Sequence, residues 1–215
     1  MAPTRPSVEP AGRAGVADPA VPQRVVLVRH GETAWSAALR HTSRTDVPLT
    51  LEGERQAAAL GTWLAGWSFG KVLASPMQRA LQTCRLAGFG DRAEPRNDLV
   101  EWDYGEYEGL TTGQIRAVRR GWFLWRDGCP GGEAVEQVGD RVDRVVAEVR
   151  RTEGNVALFA HAHVLRILAA RWIGLPPDSG MRFALATAGI SVLGYERETP
   201  VFLVWNEACG DAGPA

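Results

Sequence analysis

Apolar residues in this chain fall into two kinds of run. Val25-Val26-Leu27-Val28, Lys71-Val72-Leu73-Ala74 and Val156-Ala157-Leu158-Phe159-Ala160 are short, nearly continuous and bounded by polar residues, which predicts buried strands. Longer stretches repeat apolar positions at helical spacing. Thr50 opens one that runs to about residue 65, with apolar positions Leu51, Ala58, Leu60 and Leu64. Ser75-Pro76 reads as an N-cap with Pro at the first helical position, starting a helix to about residue 86. Valines 135, 138, 142, 145, 146 and 149 mark a helix across residues 132–151. Residues 164–172 form a further one, closed by Gly174 and Pro176, and residues 190–195 and 201–205 read as two final strands around a polar turn.

Strands alternating with helices predict an α/β domain, with a mostly parallel sheet and helices on both faces. In such sheets ligands bind in the crevice beyond the carboxyl ends of the strands. Three predicted strands end on reactive residues: Arg29-His30-Gly31-Glu32-Thr33 after the first, Ser75 to Arg79 after the second and His161-Ala162-His163 after the third. Leu99-Val100-Glu101 adds a carboxylate. One parallel sheet would bring these distant segments to one site.

That set suits phosphoryl transfer. A phosphate monoester is a dianion that repels nucleophiles, and Arg29 and Arg79 offer forked donors to neutralise its oxygens. A neutral His30 would supply a ring nitrogen as nucleophile and form a phosphohistidine. Glu101 would protonate the departing alkoxide and then take a proton from water. His161 would add a donor to the transferring group. The scheme needs no metal and no other cofactor. The positive charge of Arg29, Arg79 and His161 disfavours protonation of His30, whereas Glu101 must be protonated, so an acidic to neutral optimum is expected.

Each residue alone has a plainer reading. An Arg-His pair at a strand end is usually a solvated edge, Arg79 an ordinary helix surface residue, and Glu101 one of an acidic patch with Asp98, Asp103, Glu106 and Glu108. His161 and His163 could form a metal pair, but no Cys or Asp neighbours complete a ligand set. The G-x-x-x-x-G-K-[ST], G-x-G-x-x-G and G-x-S-x-G motifs are absent, which argues against nucleotide binding and serine hydrolysis.

Composition changes the picture little. The 215 residues suit one domain, and a net charge of −1 gives no nucleic-acid footprint. Three scattered cysteines, Cys84, Cys129 and Cys209, argue against a disulfide framework and favour the reducing cytoplasm. Residues 1–23 are rich in Pro, Ala and Gly and read as a disordered leader without the apolar run of a signal or membrane segment. Residues 24–207 form the domain, and 208–215 a flexible tail.

The first motif with its following Trp35 resembles the signature of the histidine phosphatase (phosphoglycerate mutase-like) superfamily. The resemblance extends through Asp46-Val47-Pro48-Leu49-Thr50, Gly53, Ser75-Pro76, Arg79-Ala80, Thr83, Glu101 to Gly105, Glu108-Gly109 and His161. It implies a three-layer α/β/α sandwich, with His30 as phosphorylated nucleophile, Glu101 as proton donor, and Arg29, Arg79 and His161 on the phosphoryl group. Trp125 to Cys129 with Gly132-Glu133, the segment 159–166 and the segment 187–194 are similar to broad acid phosphatases and sedoheptulose-bisphosphatase-like members. That likeness implies substrate contacts from Thr42, Ser43, Glu101, Trp102, Asp103 and Tyr104, together with Ser36 and Ala162. Ser36 stands where the family has Asn, and so offers a shorter donor to the phosphate. Ala162 replaces Gly, and its methyl would crowd the backbone if His161 needed an unusual φ. Thr112 occupies the place of a lysine of the true mutases, and Arg119-Arg120 lie in a predicted helix.

The expected activity is therefore a phosphomonoesterase acting on small phosphorylated metabolites, in particular sugar phosphates. A phosphoglycerate mutase using the same phosphohistidine is the alternative, followed by a non-catalytic binding protein. The expected partner is a small-molecule phosphate ester, with no nucleic acid and no membrane; a homodimer is left open. Loops over residues 34–47 and 106–133 would set specificity, with Trp122, Phe123 and Trp125 as lid or core residues.

Overall fold

The computed structural model describes residues 22–208. In chain order its elements are β1 (Val25–Arg29), α1 (Ala34–Ala37), α2 (Leu51–Leu64), β2 (Phe69–Ala74), α3 (Gln78–Leu86), β3 (Ala93–Pro95), α4 (Thr112–Val118), α5 (Leu124–Asp127), α6 (Val135–Arg151), β4 (Asn155–Ala160), α7 (Ala162–Trp172), β5 (Gly189–Glu196) and β6 (Thr199–Ala208). The six strands form one sheet in the order β3-β2-β4-β1-β5-β6. The first four are mutually parallel, and β5 and β6 join antiparallel beside β1.

Two cores follow from the strict alternation of strand side chains. Val25, Leu27, Leu73, Val156 and Leu158 face α6 and α7, whereas Val26, Val28, Val72, Ala157 and Phe159 face the side that carries α2 and α3. Helices therefore cover both faces, which is why the central strands carry uninterrupted apolar runs. This is the three-layer α/β/α sandwich. Among the described residues no helix is long and apolar enough to cross a membrane.

Several boundaries differ from those expected. Helix α3 begins at Gln78 after Met77, not at Pro76, and Met77 provides no side-chain cap. Ser75 is drawn away because its hydroxyl lies 2.7 Å from the His161 ring. Helix α6 starts at Val135, since Gly132 packs its Cα against the Asp103 carbonyl and a Cβ there would sit 2.2 Å from that oxygen. Helix α7 starts two residues earlier than expected, at Ala162. Arg119 and Arg120 fall just past α4, not within a helix.

Gln23 is an integral part of the domain. Its amide nitrogen donates to the carbonyls of Val149, Thr152 and Gly154 at 2.9, 2.6 and 3.0 Å, satisfying acceptors at the end of α6. Ala208 likewise belongs to β6 and not to a tail. The remainder of the expected leader and tail, with Cys209, lies outside the described residues.

Candidate active site

Strands β1, β2 and β4 deliver their following residues to the same end of the sheet. The His30 amide continues the ladder by donating to Ala160 at 3.0 Å, and Ser75 donates to Phe159 at 2.8 Å. The turn after His30 is packed against the start of α2: a Cβ on Gly31 would meet the Gly53 carbonyl at 2.3 Å, so neither residue has room for a side chain. Thr83 ties α3 to that turn, accepting from the Gly31 amide at 3.0 Å while donating to the Arg79 carbonyl at 2.7 Å.

His30 is buried, and its Nδ1 lies 2.7 Å from the Gly31 carbonyl. A carbonyl only accepts, so Nδ1 carries the proton and Nε2 keeps its lone pair. Burial, reinforced by the charges of Arg29 and Arg79, pushes the His30 pKa down to about 3. Arg29 donates through Nη1 to Leu185 at 2.6 Å. Its Nε is the only fully buried side-chain polar atom without a partner among the described residues, a donor left over for a ligand.

The His161 ring stands edge-on to His30, with centroids 5.2 Å apart. Arg79 donates from Nε to His161 Nδ1 at 3.1 Å, so the other nitrogen, Nε2, bears the proton and donates to Ser75. Burial and the Arg79 charge keep His161 neutral, well below the usual histidine range. Arg79 is fully buried and binds the loop carbonyls of Thr45 at 3.1 Å and Ser43 at 2.9 Å. The same loop is held from its amide side, because the Glu108 carboxylate accepts from Ser43 at 2.9 Å and Thr45 at 3.1 Å.

Glu101 accepts three backbone amides: Trp102 at 3.0 Å and Val164 at 2.9 Å on Oε1, and His163 at 3.0 Å on Oε2. Two of these belong to the first turn of α7, whose own N-cap His161 makes no side-chain cap, so Glu101 caps that helix from another segment. Burial opposes ionisation of Glu101, but the His163 ring at 3.8 Å, His161 and the amide bonds outweigh it and hold the carboxyl well below its usual range. At that distance the His163 ring lies slightly beyond hydrogen-bond range of the carboxylate.

A cavity of about 440 Å³ opens on this centre, lined by Arg29, His30 and Glu101. Arg79 and His161 lie behind it against His30 and do not form its wall. Of the residues expected to contact substrate, Ser36, Thr42, Tyr104 and Ala162 line the cavity. The Ser36 hydroxyl is engaged in a capping box with Thr33, at 2.9 Å from the Thr33 amide. His161 has an extended backbone, φ −126°, which any residue adopts, so the Ala162 methyl imposes no strain.

Ser43, Trp102 and Asp103 are placed elsewhere. The Ser43 hydroxyl is buried and donates to the Glu101 carbonyl at 2.9 Å. Trp102 is a core side chain whose indole donates to the Glu133 carbonyl at 2.9 Å. Asp103 pairs with Arg44 at 2.7 Å and lines a second cavity of about 380 Å³ with Ser43, Glu133 and Arg141. In the segment 101–104 only Glu101 and Tyr104 reach the cavity wall; Trp102 turns into the core, and Asp103 and Ser43 line the second cavity.

The two expected specificity loops do supply cavity wall: Leu39 to Thr42 from one, and Thr112, Arg116 and Trp122 to Trp125 from the other. His161 and His163 do not converge as a metal pair, since His161 bonds Arg79 and Ser75 while His163 bonds Tyr104. Sequence reasoning missed His41 and Arg166 on the cavity wall, and Arg141 behind it. Arg141 binds Glu133 and the carbonyls of Asp98 and Val100, bracing the segment that leads to Glu101. Its signal was present: a charge within the valine stripe of α6, three residues after Val138 and four before Val145.

Comparison with known proteins agrees with this geometry. The signature of the histidine phosphatase superfamily (branch 1) matches residues 25–208. The chain is 45% identical over 177 residues to an acid phosphatase of Mycobacterium tuberculosis, covering 80% of this chain and 87% of that one. It is 36% identical over 189 residues to the sedoheptulose 1,7-bisphosphatase of Saccharomyces cerevisiae, covering 73% and 70% respectively. The solved structure of an open reading frame product of M. tuberculosis superposes with a TM-score of 0.83 at 41% identity, over 87% of this chain and 99% of that one. With a signature that matches residues 25–208, and relatives named phosphatases over most of its length, the chain belongs to the histidine phosphatase superfamily and is a phosphatase.

Proposed function

We propose that this phosphatase is a metal-independent phosphomonoesterase of the acid phosphatase type, which hydrolyses small sugar phosphates through a phosphohistidine on His30. The observation that carries the reading is the state of His30: neutral, with Nδ1 tied to Gly31 and Nε2 free, on the wall of a cavity shared with Arg29, whose Nε has no partner. The ester phosphorus would be held by Arg29, with Arg79 behind His30 adding positive potential and the neutral His161 ring beside it offering its Nε2 proton as a donor when the group transfers. Nε2 attacks in line, the P–O bond breaks, and Glu101 protonates the leaving oxygen. Glu101 then deprotonates the water that releases phosphate from His30.

The remainder of the substrate would occupy the outer cavity, where Arg40, Arg116 and Arg166 alternate with Trp122, Phe123 and Trp125. Arg166 stacks on Trp125 at 4.9 Å and is oriented by bonds to Gly180 and Met181. Cationic donors among aromatic faces suit a hydroxylated, anionic chain, in keeping with the sugar bisphosphate named for the yeast relative.

Rapid acid-free quenching of enzyme mixed with radiolabelled sugar phosphate tests the intermediate. The expected result is a protein-bound label that survives base, is lost in acid, and is absent from His30→Ala. Turnover by wild type with no such label, or equal labelling of His30→Ala, would remove the phosphohistidine.

A further inference from the structure

Glu101 must carry a proton to act on a leaving alkoxide, yet it rests ionised and almost entirely buried. We propose that His163 is a positioning residue which holds, between Tyr104 and Glu101, the proton that Glu101 passes to the leaving group. The inference rests on Glu101 being the general acid.

The geometry supports it in three ways. The residue that anchors the carboxylate by its amide also sets its ring beside it: Nδ1 is 3.8 Å from Glu101 Oε2, slightly beyond hydrogen-bond range, and 2.7 Å from the Tyr104 hydroxyl. Trp102, Trp125 and Tyr104 stand edge-on to the ring, with centroids 6.2, 5.5 and 5.9 Å away, which fixes its plane while leaving small tilts open. The His163 side chain is 21% exposed in the cavity, against 5% for Glu101, so the imidazole can exchange protons with water where the carboxyl cannot.

The other groups facing Glu101 cannot take this role. They are Arg29 at the end of β1 and His30 after it, Arg79 on α3, His161 before α7 and Arg166 on it, and Tyr104 and His41 from the loops, with Glu108 beyond Ser43. Arginines do not deprotonate in proteins. His30 is committed to Gly31, His161 to Arg79 and Ser75, and His41 to the Leu110 carbonyl at 2.8 Å. Glu108 is occupied by the loop amides. Burial pushes the Tyr104 phenol well above its usual range, so it stays protonated and orients the imidazole.

The proton balance closes within one turnover. As the substrate dianion enters, the proton leaves His163 Nδ1 for Glu101 Oε2. When the P–O bond breaks, Glu101 gives it to the leaving oxygen while the P–N bond forms on His30. In the second half, water attacks phosphorus, the P–N bond breaks and returns its electron pair to His30 Nε2, Glu101 takes the water proton, and His163 recovers it. Phosphate and alcohol are the only products, and water is the only co-reactant.

Two groups sharing one proton titrate as a pair. The alkaline limb of kcat/KM therefore belongs to the His163–Glu101 pair, and a neutral side chain at 163 leaves Glu101 to hold the proton alone. The test is the pH dependence of kcat/KM for wild type, His163→Gln and Glu101→Gln, with glycerol phosphate and an aryl phosphate. In His163→Gln the alkaline limb should move about one pH unit or more to lower pH. The loss at neutral pH should be larger for glycerol phosphate, whose alkoxide leaves poorly unless protonated. A rise in unfolding temperature with inorganic phosphate establishes that the variant site is folded, and His163→Asn is used if Gln lacks that rise. An unmoved limb in a folded variant overturns the proposal. Wild-type rates for Glu101→Gln on glycerol phosphate would instead overturn the general-acid reading beneath it.

Discussion

The inner and outer halves of the cavity are built in opposite ways. Inside, His30, Arg79, His161 and Glu101 are buried and held by bonds to backbone or to one another, so their positions follow from the sheet and the first turn of α7. Outside, Leu39 and Phe123 are exposed, and the wall comes from residues 34–47 and 106–133, which carry only short helices. In the proposed function, chemistry falls to the buried part and recognition to the loop wall, which could change without disturbing the buried groups.

Substitutions on the two sides should therefore fail differently. His30→Ala, at the centre, should lower kcat by about 10⁴-fold or more on every substrate, measured by phosphate release, with little change in unfolding temperature. Glu101→Gln should cost about 10²- to 10⁴-fold on alkyl phosphates and clearly less on aryl phosphates, a split read from a leaving-group series. Arg141→Met leaves Glu133 unpaired and releases the Asp98 and Val100 carbonyls; a loss of about 3 kcal/mol in denaturant unfolding is expected. Retention of full stability would mean that this brace is dispensable. On the outer wall, Arg166→Ala should raise KM for sugar bisphosphates about 10-fold while barely altering kcat on an aryl phosphate. An equal effect on both substrates would erase the division between the halves.

The smallest effect concerns acid stability. The folded-state pKa of Glu101 is depressed, so its contribution is present above the ordinary carboxylate value of 4.5 and disappears as pH falls through the folded value. Glu101→Gln should flatten the acid side of the stability profile by that amount, as followed by thermal unfolding between pH 6 and about 2.

Much of this was legible in the chain because apolar runs and strand-end residues are local signals. Val25 to Val28, Val72 to Ala74 and Val156 to Ala160 announce the central strands, and the residues that follow them do meet. Whether a side chain near Glu101 faces the cavity was not legible. Ser43, Trp102 and Asp103 are polar or aromatic neighbours of the right residues, yet irregular backbone has no period from which a facing could be inferred. β3 has three residues and α5 four, too few to show any periodicity. Gln23 was assigned to the leader by composition, although a single amide closing three carbonyls is a tertiary fact.

The carboxylate that caps α7 is also the group that the proposed mechanism discharges. Each time Glu101 accepts a proton, the first turn of that helix loses part of the negative charge that holds the amides of His163 and Val164. On that mechanism the helix end would be loaded and unloaded once per catalytic cycle, and α7 would feel the progress of the reaction along its axis.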